Sequence, residues 1–205
     1  FSKGLVKTRE TFEELAEQAV NKSLAEEIIL DLMEAIEASG EKALMAKMDL
    51  FRADQSALGE YTGTLAGGSQ QLGQRYFFNN TTGQCIRCHS LEGEGGEVGP
   101  SLDHIGDILS REELLQALVQ PSARLSPGFG SVTVTMKDGK KITGVLLEEK
   151  EESLVLRTSE SKQLEIAIAE TTDRVNLPSG MPPMGSLMSK RELRDVIEFL
   201  SSLKK

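Results

Sequence analysis

The feature that most constrains this chain is a pair of cysteines, Cys85 and Cys88, which are separated by two residues and followed at once by His89. Both cysteines of the chain and one of its two histidines stand in this run. Thiols at this spacing can each add to one vinyl group of the same porphyrin, and the adjacent imidazole then lies under the iron. The run therefore predicts one covalently attached haem c, with His89 as an axial ligand.

Two other interpretations of the cysteine pair are weaker. A structural zinc site uses four protein ligands, and beyond these three the chain offers only His104 and carboxylates. A redox-active dithiol is expected at a strand-to-helix junction, whereas residues 77–84 have the composition of a turn after a helix end. Haem attachment is the interpretation that the residues favour.

Charge and hydropathy narrow the classes of partner. The 205 residues carry 23 Lys and Arg against 32 Asp and Glu, which leaves a net charge of −9. That balance argues against nucleic acid and anionic membranes, and for a basic or neutral protein partner. The longest apolar runs fall short of the ~18 residues that a membrane-spanning helix needs, so no membrane insertion is expected. Covalent haem attachment takes place outside the cytoplasmic membrane in bacteria, which predicts a periplasmic or otherwise extracytoplasmic protein.

Residues 1–68 have the pattern of helical hairpins. Thr11 and Ser23 are each followed three residues later by Glu, which predicts two capping boxes. After Ser23, apolar residues recur every four positions, and Gly40 is a natural helix end. A further helix is expected over residues 44–51. The glycines at 67 and 68 predict a flexible break, and therefore a domain boundary between residues 68 and 69.

Residues 69–205 combine helices with a β-insert at 130–177. Helices are expected over 70–78, after Ser110 and after Ser189, because both serines open capping boxes. Within the insert the period changes to two, and Asp138-Gly139 marks a hairpin turn. The expected strands cover residues 131–136, 141–147, 153–158, 163–168 and 172–177. They would form a small antiparallel sheet or partly open barrel, which weakly resembles SH3-like and Sm-like barrels.

A second axial ligand is predicted from the run Met-Pro-Pro-Met at residues 181–184. A thioether commonly fills the sixth position of a haem that only moves electrons, and the prolines stiffen the loop. Met181 is favoured over Met184 because it directly precedes a proline, and Met188 ranks third. All three could instead be apolar packing residues. His104 is the alternative ligand, and it is expected at the surface.

Four further residues are candidates for haem contacts. In c-type cytochromes a Pro carbonyl typically accepts a hydrogen bond from the ligand His, and Pro100 fits this role. Leu102 and Ile105 would pack on the porphyrin. Arg124 would pair with a propionate, although a plain surface Arg is nearly as well supported. For Pro100 the competing interpretation is an ordinary turn.

Residues 70–203 resemble the haem-binding c-type cytochrome domain at the C-terminus of large secreted proteins of planctomycetes, verrucomicrobia and some bacteroidetes. The likeness is carried by residues 85–89, 93–102, 121–124, the strand pair around Asp138-Gly139, and residues 181–184 running into 189–195. It implies a class I cytochrome c-like helical domain. In such proteins this domain often follows helical repeats of HEAT type, and residues 1–68 would be the end of such an array.

Taken together, these patterns predict a mainly α fold with a β-insert. The predicted function is that of an electron carrier rather than an enzyme. It would accept electrons from a fused or partner dehydrogenase, in a sugar- or alcohol-oxidising context, and pass them to another carrier. Two alternatives stay open: a haem-based gas or redox sensor, and an interaction module that the haem stabilises.

Overall fold

The computed structural model describes residues 9–55 and 58–205, so residues 1–8, 56 and 57 of the expected helical region lie outside it. The chain is mixed α/β, with helices, a five-stranded antiparallel sheet and a two-stranded hairpin, and its helices do not form a clear class I cytochrome fold. The helices are α1 (Arg9–Val20), α2 (Ile29–Ser39), α3 (Lys42–Gln55), α4 (Gln70–Asn79), α5 (Cys85–Cys88), α6 (Ile105–Ile108), α7 (Arg111–Val119) and α8 (Lys190–Ser202). The strands are β1 (Ser90–Leu91), β2 (Glu94–Gly95), β3 (Ser131–Met136), β4 (Lys141–Glu149), β5 (Ser153–Arg157), β6 (Gln163–Ala167) and β7 (Thr171–Asn176).

The chain divides into two compact units. The first comprises residues up to Gln84, His104–Leu115 and Met184–Lys205, and the second comprises Cys85–Asp103 and Gln116–Pro183. Within the described residues, no helix is both long and apolar enough to cross a membrane.

In the first unit, α1, α2 and α3 pack around one apolar cluster. Its largest buried members include Met33, Ile36, Leu44 and Met48. Gly40 ends α2 with a φ of 70°, which confirms the predicted stop. The periodic apolar residues of α2 and α3 thus form the core that the sequence predicts.

The prediction of capping boxes at Thr11 and Ser23 is wrong. Thr11 lies inside α1, and α2 begins only at Ile29, after a 3₁₀ turn over Glu26–Ile28. The Ser23 hydroxyl donates to the Gln18 carbonyl at 3.3 Å, so it closes the turn after α1 instead of capping the next helix. The capping boxes at Ser110 and Ser189 are confirmed: the backbone N–H of each serine donates to the Glu carboxylate three residues later, at 2.9 and 2.8 Å.

The glycines at the expected flexible break lie in close contact with backbone atoms of other elements. A Cβ at Gly67 would lie 2.6 Å from the Glu27 carbonyl oxygen, and one at Gly68 would lie 2.4 Å from the Arg194 carbonyl oxygen. The next turn is held as well, because the Ser69 N–H donates to the Asp195 carboxylate at 2.8 Å. These glycines allow backbone to approach backbone, and the first unit therefore continues past residue 68 into α4 and α8.

A charged cluster joins α2 to α8. Asp31 accepts from Arg191 Nη2 at 2.6 Å and from Arg194 Nη1 at 3.3 Å, and Arg191 Nε also donates to Glu34 at 2.8 Å. Burial alone would raise the pKa of the Asp31 carboxyl, but the arginine bonds outweigh it and hold that pKa below its usual value. The charged form of Asp31 therefore stabilises the fold.

The core of the second unit is the sheet, whose strand order is β6-β5-β4-β3-β7 with every neighbouring pair antiparallel. Four strands follow one another as a meander, and β7 returns to pair with β3. Alternate residues of the strands form its apolar face: Val132, Val134, Leu146, Leu154, Leu156 and Ile166. Gly139 has a φ of 85° in the predicted Asp-Gly turn. All five predicted strands are confirmed, with ends that shift by at most two residues.

Candidate functional site

The cysteine pair forms a single helical turn. Helix α5 covers Cys85–Cys88, and the His89 N–H extends it by donating to the Cys85 carbonyl at 2.9 Å. Cys88 and His89 lie three and four residues after Cys85, so each is a helix-face neighbour of Cys85. Cys85 is half-buried and Cys88 is exposed. The turn presents two thiols and one imidazole nitrogen in the pattern that covalent haem attachment requires.

The ring of His89 is oriented by one hydrogen bond. Its Nδ1 lies 2.8 Å from the Pro100 carbonyl oxygen. A carbonyl only accepts, so Nδ1 is the donor of this bond, and the tautomer with its lone pair on Nε2 is the one that could bind a metal. The structure thus places the Pro100 carbonyl at His89 Nδ1, where the sequence predicted it, and this bond does not use Nε2.

The chain after His89 folds back around the cysteine turn. Strands β1 and β2 form a hairpin whose tip, Glu92-Gly93, has positive φ at both residues. Three backbone bonds then tie the returning segment to the motif: Gly96 N–H to the Ile86 carbonyl at 2.9 Å, Gly99 N–H to the Cys88 carbonyl at 2.7 Å, and Leu102 N–H to the Ser90 carbonyl at 2.9 Å. We call residues 90–102 the return loop.

Glycines make the return loop possible, and sequence reasoning missed this role. A Cβ at Gly96 would lie 2.0 Å from the Arg87 carbonyl oxygen, and one at Gly95 would lie 2.4 Å from the His89 carbonyl oxygen. A Cβ at Gly99 would lie 2.6 Å from Cε1 and 2.8 Å from Nδ1 of His89. The signal in the sequence was the glycine density of residues 93–99, which matched no phosphate loop.

Burial controls the chemistry of Cys85. It raises the pKa of the Cys85 thiol to about 11, with a small further contribution from neighbouring Cys88. A reactive dithiol requires the opposite, because its attacking sulfur is a thiolate near neutral pH. At neutral pH Cys85 is therefore an S–H group, which disfavours thiol–disulfide exchange.

The three methionines considered as iron ligands differ in burial and in the unit to which they belong. Met181 is half-buried and belongs to the second unit, with both cysteines, His89 and Pro100. Met184 and Met188 belong to the first unit, where they are 3% and 6% exposed. Their burial matches the apolar packing role that the sequence left open for them.

The remaining candidates are placed as follows. Leu102 is half-buried in the second unit, next to the return-loop bonds, and Arg124 is exposed in that unit. Ile105 is half-buried at the start of α6, in the first unit. His104 is exposed, as expected, and precedes α6 with a φ of 59°. Contacts of these residues with a porphyrin stay predictions.

The donor set of the second unit fits a haem c. The fit rests on a protonated Cys85, an exposed Cys88 on the same helical side, and an imidazole whose Nε2 is free of the Pro100 bond. Among residues 9–55 and 58–205, no three His, Cys, Asp or Glu side chains converge as a metal-binding group. No family model matches the chain, and no curated protein matches it.

Proposed function

We propose that this chain is a mono-haem c-type cytochrome domain that carries single electrons between proteins. The observation that carries the proposal is the 2.8 Å contact between His89 Nδ1 and the Pro100 carbonyl, in a ring that directly follows a one-turn Cys-x-x-Cys helix. The bond orients the ring beside the two thiols, as a ligand to a tethered porphyrin would require.

The cysteines, His89 and Pro100 would each hold the haem in a different way. Cys85 and Cys88 tether the macrocycle through thioethers, each formed when an S–H adds across a vinyl group and the proton goes to the vinyl carbon. His89 offers Nε2 to the iron, and Pro100 makes that nitrogen more electron-donating by accepting the Nδ1 proton. Bound haem supplies an iron that gains or loses one electron.

Met181 is the proposed sixth ligand. It shares a unit with His89, and the prolines at 182 and 183 restrict the backbone that follows it. A filled sixth position leaves the iron no site for substrate, which supports a carrier rather than an enzyme. We also propose that the domain is class I cytochrome c-like and that it follows HEAT-like helices.

Partner and compartment follow from the same premise. A donor dehydrogenase and an acceptor protein would dock a surface of net negative charge, and thioether formation places the protein outside the cytoplasmic membrane. Sugar- or alcohol-oxidising activity would belong to the donor.

The test is expression together with a haem c maturation system, followed by denaturation and a visible spectrum. We expect haem to stay with the denatured chain, and to be lost from a Cys85→Ala, Cys88→Ala double variant. The folded protein should be low-spin, with the weak Met–iron charge-transfer band. His104→Ala is the matched control for His89→Ala and should leave the spectrum unchanged.

Two outcomes would contradict the proposal. Release of all haem from the denatured wild type would exclude covalent attachment. A high-spin spectrum with ready CO binding by the ferrous protein would favour the sensor over the carrier.

A further inference from the structure

Three hydrogen bonds from backbone N–H groups hold the segment between the sheet and Met181. Leu177 N–H donates to the Ser131 carbonyl at 2.9 Å, Ser179 N–H donates to the Ser122 hydroxyl oxygen at 3.0 Å, and Met181 N–H donates to the Ser179 hydroxyl oxygen at 3.1 Å. Pro178, Pro182 and Pro183 have no N–H to place. Hydrogen bonds therefore hold the backbone that leads to Met181, and the two prolines restrict the backbone that follows it.

The anchor of this segment is the loop before β3. Asn176, the last residue of β7, donates from Nδ2 to the carbonyls of Ser122 and Ala123, at 3.1 Å each. Because both partners are carbonyls, the amide nitrogen must face them. Ser122 thus binds the end of β7 through its carbonyl and the Met181 segment through its hydroxyl.

We infer that the β-sheet serves as a mount for the sixth iron ligand, with Ser122, Asn176 and Ser179 as the positioning residues that hold the Met181 segment to it. The inference rests on the proposed function and gives the β-insert a role within it. Strands β3 and β7 are neighbours in the sheet, and Met181 lies five residues beyond the end of β7. The sheet therefore fixes where the segment starts, and the serines fix where it leads.

The physical reason for such a mount is entropic. If residues 177–183 formed a free loop, they would have to be ordered each time the Met181 thioether bound iron. That entropic cost would weaken the bond between Met181 and iron. Prolines and bonds to a rigid sheet remove this cost in advance. Loss of one bond should therefore let an added ligand compete better with Met181.

The test measures imidazole binding to the ferric haem-loaded protein, because imidazole competes with Met181 for iron. Ser122→Ala and Ser179→Ala should each raise the apparent imidazole affinity about five-fold, the equilibrium factor of one ordinary hydrogen bond. They should also weaken the Met–iron band and lower the reduction potential. Ser179→Thr keeps the hydroxyl and should restore wild-type behaviour, and exposed Ser126→Ala is the matched control.

Two results would overturn the inference, and they are distinguishable. If haem stays attached and the wild type shows the Met–iron band, but Ser122→Ala and Ser179→Ala behave like Ser126→Ala, the mount is wrong and the carrier stands. If denatured wild type retains no haem, the proposed function fails and the inference fails with it.

Discussion

Gly99→Ala tests the geometry of the site most directly. The new methyl carbon would lie 2.6 Å from His89 Cε1, 2.8 Å from Nδ1 and 3.0 Å from Nε2. Carbon atoms in contact keep ~3.5 Å or more, so the ring must withdraw by about 0.9 Å. The bond to Pro100 is 2.8 Å long. It tolerates only about 0.4 Å of lengthening before it leaves the ordinary range.

The expected loss follows from these displacements. Overpacking costs ~1–3 kcal/mol and the lost hydrogen bond about 1 kcal/mol, while replacing glycine stiffens the unfolded chain and returns up to ~1 kcal/mol. We expect the free energy of unfolding to fall by about 1–4 kcal/mol. The Nδ1–H resonance of His89 in the ferrous protein should shift or broaden as the bond weakens.

The assay is urea denaturation combined with proton NMR, and the control is Gly180→Ala. A Cβ at Gly180 meets nothing within 4 Å, so this variant should keep or slightly gain stability. Equal unfolding free energies for the two variants, with an unmoved His89 resonance in Gly99→Ala, would refute the argument that Gly99 sets the ring position.

Three further predictions concern other parts of the chain. Met184→Ala should destabilise the fold by ~2–5 kcal/mol in urea denaturation while keeping the Met–iron band, because it opens a cavity in the core, whereas Met181→Ala should abolish the band. In haem-free protein, alkylation of Cys85 followed by mass spectrometry should accelerate about ten-fold per pH unit, until pH approaches the pKa of about 11. Asp31→Asn should lower stability at pH 7 but have little effect in acid: the folded pKa of Asp31 is depressed, so its contribution is present above the unfolded pKa of ~3.9 and is lost as pH falls through the folded pKa. Urea denaturation at both pH values checks this, and an equal loss at both would contradict it.

Periodic elements could be predicted from the sequence because their signal is local. Strands β3 and β5 alternate apolar and polar residues, and the apolar face of each is buried. Capping motifs were less dependable. The hydroxyls of Ser110 and Ser189 accept from the backbone N–H of the Glu three residues later, whereas the Ser23 hydroxyl bonds back to a carbonyl of the helix before it.

Part of the candidate site could likewise be predicted from the sequence, and part could not. The cysteine pair, His89 and Pro100 lie within one short stretch, so their spacing implies their geometry. The roles of Gly95, Gly96 and Gly99 depend on backbone atoms approaching backbone or ring, which no side-chain pattern records. The link from Ser122 to Ser179 joins residues 57 positions apart, and no local pattern in the sequence indicates that they meet.

The two residues proposed as axial ligands differ in how far apart in the chain their supporting contacts lie. The His89 side is closed by contacts within residues 85–102, so little loop-closure entropy opposes its formation. The Met181 side depends on residues far apart in the chain, because Leu177 bonds to Ser131 at the start of β3 and Ser179 bonds to Ser122 in the loop before that strand. Local contacts form at lower entropic cost than pairings that are distant in sequence. The histidine side of the site is therefore organised by its own sequence, whereas the methionine side takes its stability from the sheet.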